Sequence, residues 1–111
     1  MNRLKVAAVL ALALPLMSAC ASYHAYENAR TQEKQKNWDQ AVEQYSKALE
    51  LDPDNMRYKL DMERARLEAS RQHFEKGKNL RAAGQNQLAA IELELTVRLD
   101  PTNQYAAVEL S

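Results

Sequence analysis

At 111 residues the chain holds one small domain at most. Fifteen basic residues against fifteen acidic ones leave no basic excess of the kind that binds nucleic acid. Two glycines, three prolines and 6% aromatics are too few for a β-sandwich or barrel, and one cysteine with two histidines falls short of a disulfide framework or a zinc finger. The expectation is an all-α module with no metal and no cofactor.

The amino terminus comes first. Arg3 and Lys5 precede an uncharged run of twelve residues at 6–17. A bilayer-spanning helix needs about 20 apolar residues, so this run reads as the h-region of a cleaved secretory leader. Pro15 and the small Ser18 and Ala19 stand near its end, immediately before Cys20. The stretch Leu16, Met17, Ser18, Ala19, Cys20 resembles the lipobox of bacterial lipoproteins. That resemblance implies a diacylglycerol on the Cys20 sulfur, cleavage before Cys20 and acylation of the new amino group. Ala21, not an aspartate, implies sorting to the outer membrane, with the chain on its periplasmic face. The alternative is plain secretion to the periplasm, because Ala19, Cys20 and Ala21 also make a small-x-small cleavage site. Residues 1–19 thus form the expected signal peptide and 20–25 an acylated start and short spacer. Loss of the leader leaves 92 residues, 13 of them basic and 15 acidic.

The remaining chain contains a repeat. Residues 41–55 align without gaps on 89–103, with Ala41/Ala89, Leu51/Leu99, Asp52/Asp100, Pro53/Pro101 and Asn55/Asn103 identical. Each segment reads as an amphipathic helix stopped by a proline and followed by a residue able to cap the next helix. Ala41, Tyr45, Ala48 and Leu49 fall on one stripe, with small alanines that let a neighbouring helix approach. Asn37 with Gln40 predicts a capping box for a helix starting at Trp38.

These features resemble the tetratricopeptide repeat: Trp38, Ala41, Tyr45, Ala48 and Pro53 in the first copy, Gly77, Leu80, Gly84, Ala89, Leu93 and Pro101 in the second. In the first copy's opening helix, Ala29 holds the small site but Asn28 and Gln32 stand at places usually apolar. Thr96 replaces an alanine in the second copy. The resemblance implies a solenoid of antiparallel helix pairs over 26–103. The prolines are 48 residues apart, whereas the family's repeat is roughly 34. The excess predicts one overlong helix between Asn55 and Ala83. Leu60, Leu67 and Phe74 mark one face of it and Tyr58, Met62, Ala65 and Ala69 another, so it is either sandwiched between neighbours or offers a dimer surface. A fifth helix is expected from Gln104, with Tyr105, Ala106 and Leu110 packed on the helix before it; 104–111 reads as a truncated or capping element.

Nothing in the chain predicts catalysis. His24 and His73 are 49 residues apart and read as surface residues, and Asp52 and Asp54 read as helix-capping groups. The family resemblance implies a protein partner in a groove lined by the first helix of each repeat: Tyr23, Tyr26, Arg30 and Glu33, then Arg71, Phe74, Lys78 and Arg81. An aromatic among three cations suits an acidic or C-terminal peptide; the alternative is solvated cations paired within the helix, as Lys78 with Glu75. The lipobox, the Leu-Asp-Pro-Asp-Asn ending at 51–55 and the stretch at 58–70 together resemble the front of secretins of type II secretion and type IV pilus systems. That likeness implies a scaffold in such an assembly. The other expectation is a stand-alone periplasmic adaptor for envelope or cell-wall assembly.

Overall fold

The computed structural model describes residues 2–111, without the side chains of residues 12–14. Met1 of the expected leader therefore lies outside the described residues. Five helices follow one another: α1 (Asn2–Lys34), α2 (Trp38–Leu51), α3 (Met56–Ala82), α4 (Asn86–Leu99) and α5 (Gln104–Leu110). No strand occurs among the described residues. The chain is an all-α, tetratricopeptide-like series of helix pairs. It divides into two compact units, one running to Met62 and the other Glu63–Ser111.

In the first unit α1 packs on α2 across a three-residue turn. The turn is a Schellman closure: Asn37 N–H donates to Gln32 O at 2.9 Å and Lys36 N–H to Glu33 O at 2.9 Å. This closure places Lys36 in the left-handed region, at φ 59°. The expected capping box does not form. Asn37 instead turns its amide nitrogen back to the Gln32 and Gln35 side-chain oxygens, at 3.0 and 3.2 Å, and makes no side-chain bond to α2. With its backbone N–H and its side chain both turned back, Asn37 is committed to closing α1 rather than capping α2.

Ala29, Ala41, Tyr45 and Ala48 have no exposed surface, so the predicted α2 stripe is the face that α1 covers. The first turns of α3 complete this core. The Tyr26 ring stacks on Tyr58, with centroids 4.6 Å apart, and lies tilted 5.7 Å from Tyr45. Fully burying one such side chain contributes about 1.5–3 kcal/mol, which makes the tyrosine cluster the main stabiliser of a unit otherwise packed with alanine.

The second unit repeats the first, 48 positions later. Gln85 N–H donates to Leu80 O at 2.9 Å and Gly84 N–H to Arg81 O at 3.0 Å, with Gly84 at φ 78°. Asn55 and Asn103 cap α3 and α5 by accepting from Tyr58 N–H at 3.2 Å and Ala106 N–H at 3.0 Å. Gly77 is needed at its position: a Cβ there would lie 2.9 Å from Leu93 Cγ. The repeat period explains the length of α3. Its first seven residues match α5 and its last thirteen match α1 from Ser22 to Lys34, so one unbroken helix does the work of two.

Several expectations change. Tyr58, Ala65 and Ala69 are buried and Met62 is half-buried, but Leu60 and Leu67 are exposed and Phe74 is half-buried, so only one of the two apolar faces of α3 is covered. In α5 only Ala106 is buried; Tyr105 is 76% exposed and Leu110 is also exposed, because a seven-residue helix turns little more than one face to α4. The expected spacer at 20–25 is helical, and Ser22 and Ala25 are already buried in the first unit. Pro15 does not end α1, which is long and apolar enough to cross a membrane by length and composition; none of its apolar window is buried. A leader sequence has the same character.

Candidate functional site

The residues expected to bind a peptide divide by unit. In the first, Tyr26 is core: only 6% of it is exposed, and its hydroxyl donates to Asp61 Oδ2 at 2.6 Å. Burial raises the pKa of this phenol, and donation to Asp61 raises it further. Arg57 Nε reaches the same carboxylate oxygen at 3.2 Å, so Asp61 is held by two donors. Tyr26 therefore builds the unit and offers no surface to a ligand. Arg30 is exposed; it covers the Tyr26 ring at 5.9 Å and pairs with Glu27 at 3.6 Å. Glu33 accepts from the Tyr45 hydroxyl at 2.5 Å, while Tyr23 is open to solvent. A polar cleft of about 190 Å³ between α1 and α2, lined by Asn28, Thr31, Gln32, Gln40, Glu43 and Gln44, has amides as its main groups and no acid–base pair.

In the second unit Arg71, Phe74, Lys78 and Arg81 lie at i, i+3, i+7 and i+10 on α3, one continuous stripe. Each cation holds a carboxylate of its own chain. Arg71 bonds Glu68, Lys78 pairs with Glu75 at 3.1 Å and Arg81 pairs with Glu109. The Lys78 ammonium stands 5.0 Å from the centre of the half-buried Phe74 ring. Exposed pairs of this kind contribute about 0–1 kcal/mol, so a ligand carboxylate can replace the chain's own at little cost.

One polar cluster lies outside the expected set. His73 is not a surface residue: its Nδ1 lies 2.6 Å from Glu92 Oε2, and Lys76 Nζ lies 2.6 Å from Glu92 Oε1. Burial opposes the charged form of Glu92, yet the bonds from Lys76 and His73 outweigh it and hold the carboxyl below its ordinary pKa. Thr96 Oγ donates to Glu92 O at 2.9 Å, and Ser70 Oγ donates to Thr96 O at 3.1 Å. The signal for it in the sequence is spacing, since Glu92 follows Ala89 by three and precedes Thr96 by four, on the inward stripe of α4. The arrangement ties α3 to α4.

Cys20 is a free, exposed thiol on α1. Among the described residues no cluster of three metal-ligating side chains occurs.

Residues 25–55 match the family model of the tetratricopeptide repeat. Neither a curated protein nor a solved structure matches the chain. The matched segment is the helix pair of the first unit, so the chain carries a tetratricopeptide repeat there, a module that typically mediates protein–protein contact and not catalysis. The second unit keeps the backbone plan but replaces Tyr45 by Leu93, Ala48 by Thr96 and Trp38 by Asn86.

Proposed function

We propose that this chain, which carries a tetratricopeptide repeat at residues 25–55, is an outer-membrane lipoprotein that scaffolds protein–protein contacts in a secretin-type secretion or pilus assembly. The observation that carries the scaffold reading is the repetition of one helix-pair closure 48 positions apart: α1–α2 and α3–α4 share Schellman turns, and α3 and α5 share asparagine caps. Support for the partner's chemistry comes from the Arg71, Phe74, Lys78 and Arg81 stripe, where three exchangeable cations flank one aromatic ring. An acidic or carboxy-terminal peptide segment suits it. The anchor reading is supported by the unburied apolar start of α1 and by the exposed Cys20 thiol behind it.

Two measurements test this. A fatty-acid analogue should label the wild-type chain and leave Cys20→Ala unlabelled; equal labelling of both defeats the anchor. Photo-crosslinking from Arg71 in the bacterial envelope should yield a secretin-assembly adduct that disappears in the Lys78→Glu/Arg81→Glu double variant. An adduct unchanged by that charge reversal defeats the stripe as the binding face.

A further inference from the structure

The anchor and the fold of the first unit are joined without a tether. Helix α1 runs unbroken through Cys20, and Ser22, the first buried side chain among the described residues, comes two positions later, a rise of about 3 Å. A lipid chain on Cys20 therefore cannot leave the unit swinging on a flexible linker; the end of the unit that carries Cys20 must meet the bilayer. Antiparallel packing identifies what else lies at that end. The α1–α2 turn at 35–37 is at the opposite end, so the last turn of α2 and the start of α3 flank the residues after Cys20. The Tyr26 stack on Tyr58 and its bond to Asp61 establish that register.

The side chains at this end are out of place for a surface facing only water. Tyr23 is 59% exposed, Leu51 43% and Met56 63%. Arg57 stands beside them with its side chain largely in solvent, its Nε on Asp61. Of the two aspartates in the connecting turn, Asp52 accepts from Asn55 Nδ2 at 3.0 Å and Asp54 is exposed. With Arg57 against Glu50, Asp52, Asp54 and Asp61, this end is net negative, which suits a zwitterionic headgroup layer better than an anionic one. Tyrosine and arginine are amphipathic residues that settle at such a boundary, and the apolar leucine and methionine suit its acyl side.

Ser22 adds a chemical detail. Its hydroxyl donates to the carbonyl of Ala19 at 2.9 Å, the acceptor that cleavage before Cys20 would remove. Acylation of the new Cys20 amino group forms an amide whose carbonyl takes the same position along the chain.

We propose that the Cys20 end of the first unit is a membrane-contacting face, with Tyr23, Leu51, Met56 and Arg57 seated in the lipid headgroup layer and Ser22 donating to the acyl amide of Cys20. This rests on the lipoprotein reading above and adds an orientation to it. Trp38, the only tryptophan, lies at the opposite end: α1 rises about 21 Å between Cys20 and Lys34.

The test uses the full chain, processed in bacteria and reconstituted into phosphatidylcholine vesicles containing lipid brominated near the headgroup. Met56→Trp and Leu51→Trp, each in a Trp38→Phe background, should be quenched several-fold more than Trp38 in the wild-type protein. Quenching of both no stronger than that of Trp38, in protein that carries the fatty-acid label, overturns the membrane-contacting face while leaving the lipoprotein reading intact. Absence of the label overturns both. Ser22→Ala, with labelling preserved, should reduce hydrogen-exchange protection in the first turn after Cys20; unchanged protection removes Ser22 from its role.

Discussion

Tyr45 and Leu93 hold the same place in the two helix pairs, 48 positions apart, and the units around them are built from different chemistry. The first is an aromatic core: Tyr26, Tyr45 and Tyr58 fill the space between alanines, and the hydroxyls of Tyr26 and Tyr45 end on Asp61 and Glu33. The second has Phe74, Leu93 and Ala106 at those places. It closes its smaller volume by removing a side chain at Gly77 and by inserting the His73–Glu92–Lys76 cluster where the first unit has Ala25, Gln44 and Asn28. The backbone is kept and the means of filling it are not. This is what packing density requires, because a helix pair can be closed by large residues far apart or by small ones close together.

The largest test of that difference is truncation of the paired residues. Tyr45→Ala should destabilise the protein by about 3–5 kcal/mol and Leu93→Ala by about 2–5 kcal/mol, read from urea unfolding. Hydrogen exchange should then show the first variant loosening α1 and α2 and the second loosening α4 and α5. A smaller loss for Tyr45 than for Leu93 would contradict the aromatic core as the main stabiliser of the first unit.

Next in size is the charged cluster, which has no counterpart at Ala25 and Gln44. The folded-state pKa of Glu92 is lowered, so its stabilising contribution is present above the unfolded carboxyl pKa and is lost as pH falls through the folded value. Glu92→Gln should cost about 1.5–3 kcal/mol near neutral pH, since it removes bonds to two basic groups. The same variant should lose less stability than wild type between about pH 7 and about pH 3. Equal acid sensitivity of the two proteins would show that the carboxylate is not linked to folding.

The smallest effect concerns the two turns. Gly84 has φ 78°, and a Cβ added there would meet nothing within 4 Å, so Gly84→Ala tests backbone conformation alone. It should cost about 1–2 kcal/mol, and Lys36→Gly should stabilise by about 1 kcal/mol, as melting temperatures of opposite shift. A neutral Lys36→Gly would mean that the first turn tolerates the left-handed conformation for a reason absent from the second.

Much of the helical plan was legible. The prolines at 53 and 101, the capping asparagines and the excess of fourteen residues over the family period of roughly 34 locate α2 to α5 and the overlong α3. Along the same stretch, side-chain roles were harder to read. Tyr26 stands at a position where related repeats bind ligands, and only the stack with Tyr58 and the bond to Asp61 reveal it as core. His73 reads as a surface residue until α4 brings Glu92 to it. Leu60 and Leu67 have the spacing of a buried face yet remain exposed.

The amino-acid sequence by itself determined what is local: that α2 to α5 are helical and where α2 and α4 stop, that a unit recurs 48 residues on, and that a cysteine follows an apolar run. These depend on φ restriction, capping and periodicity within a few residues. Only the tertiary structure decided which stripe of each helix is covered, which acids and bases meet, and that Cys20 lies two residues from the packed core with no spacer between. Those outcomes depend on the pairing of residues 12 to 35 positions apart, whose geometry no local pattern encodes.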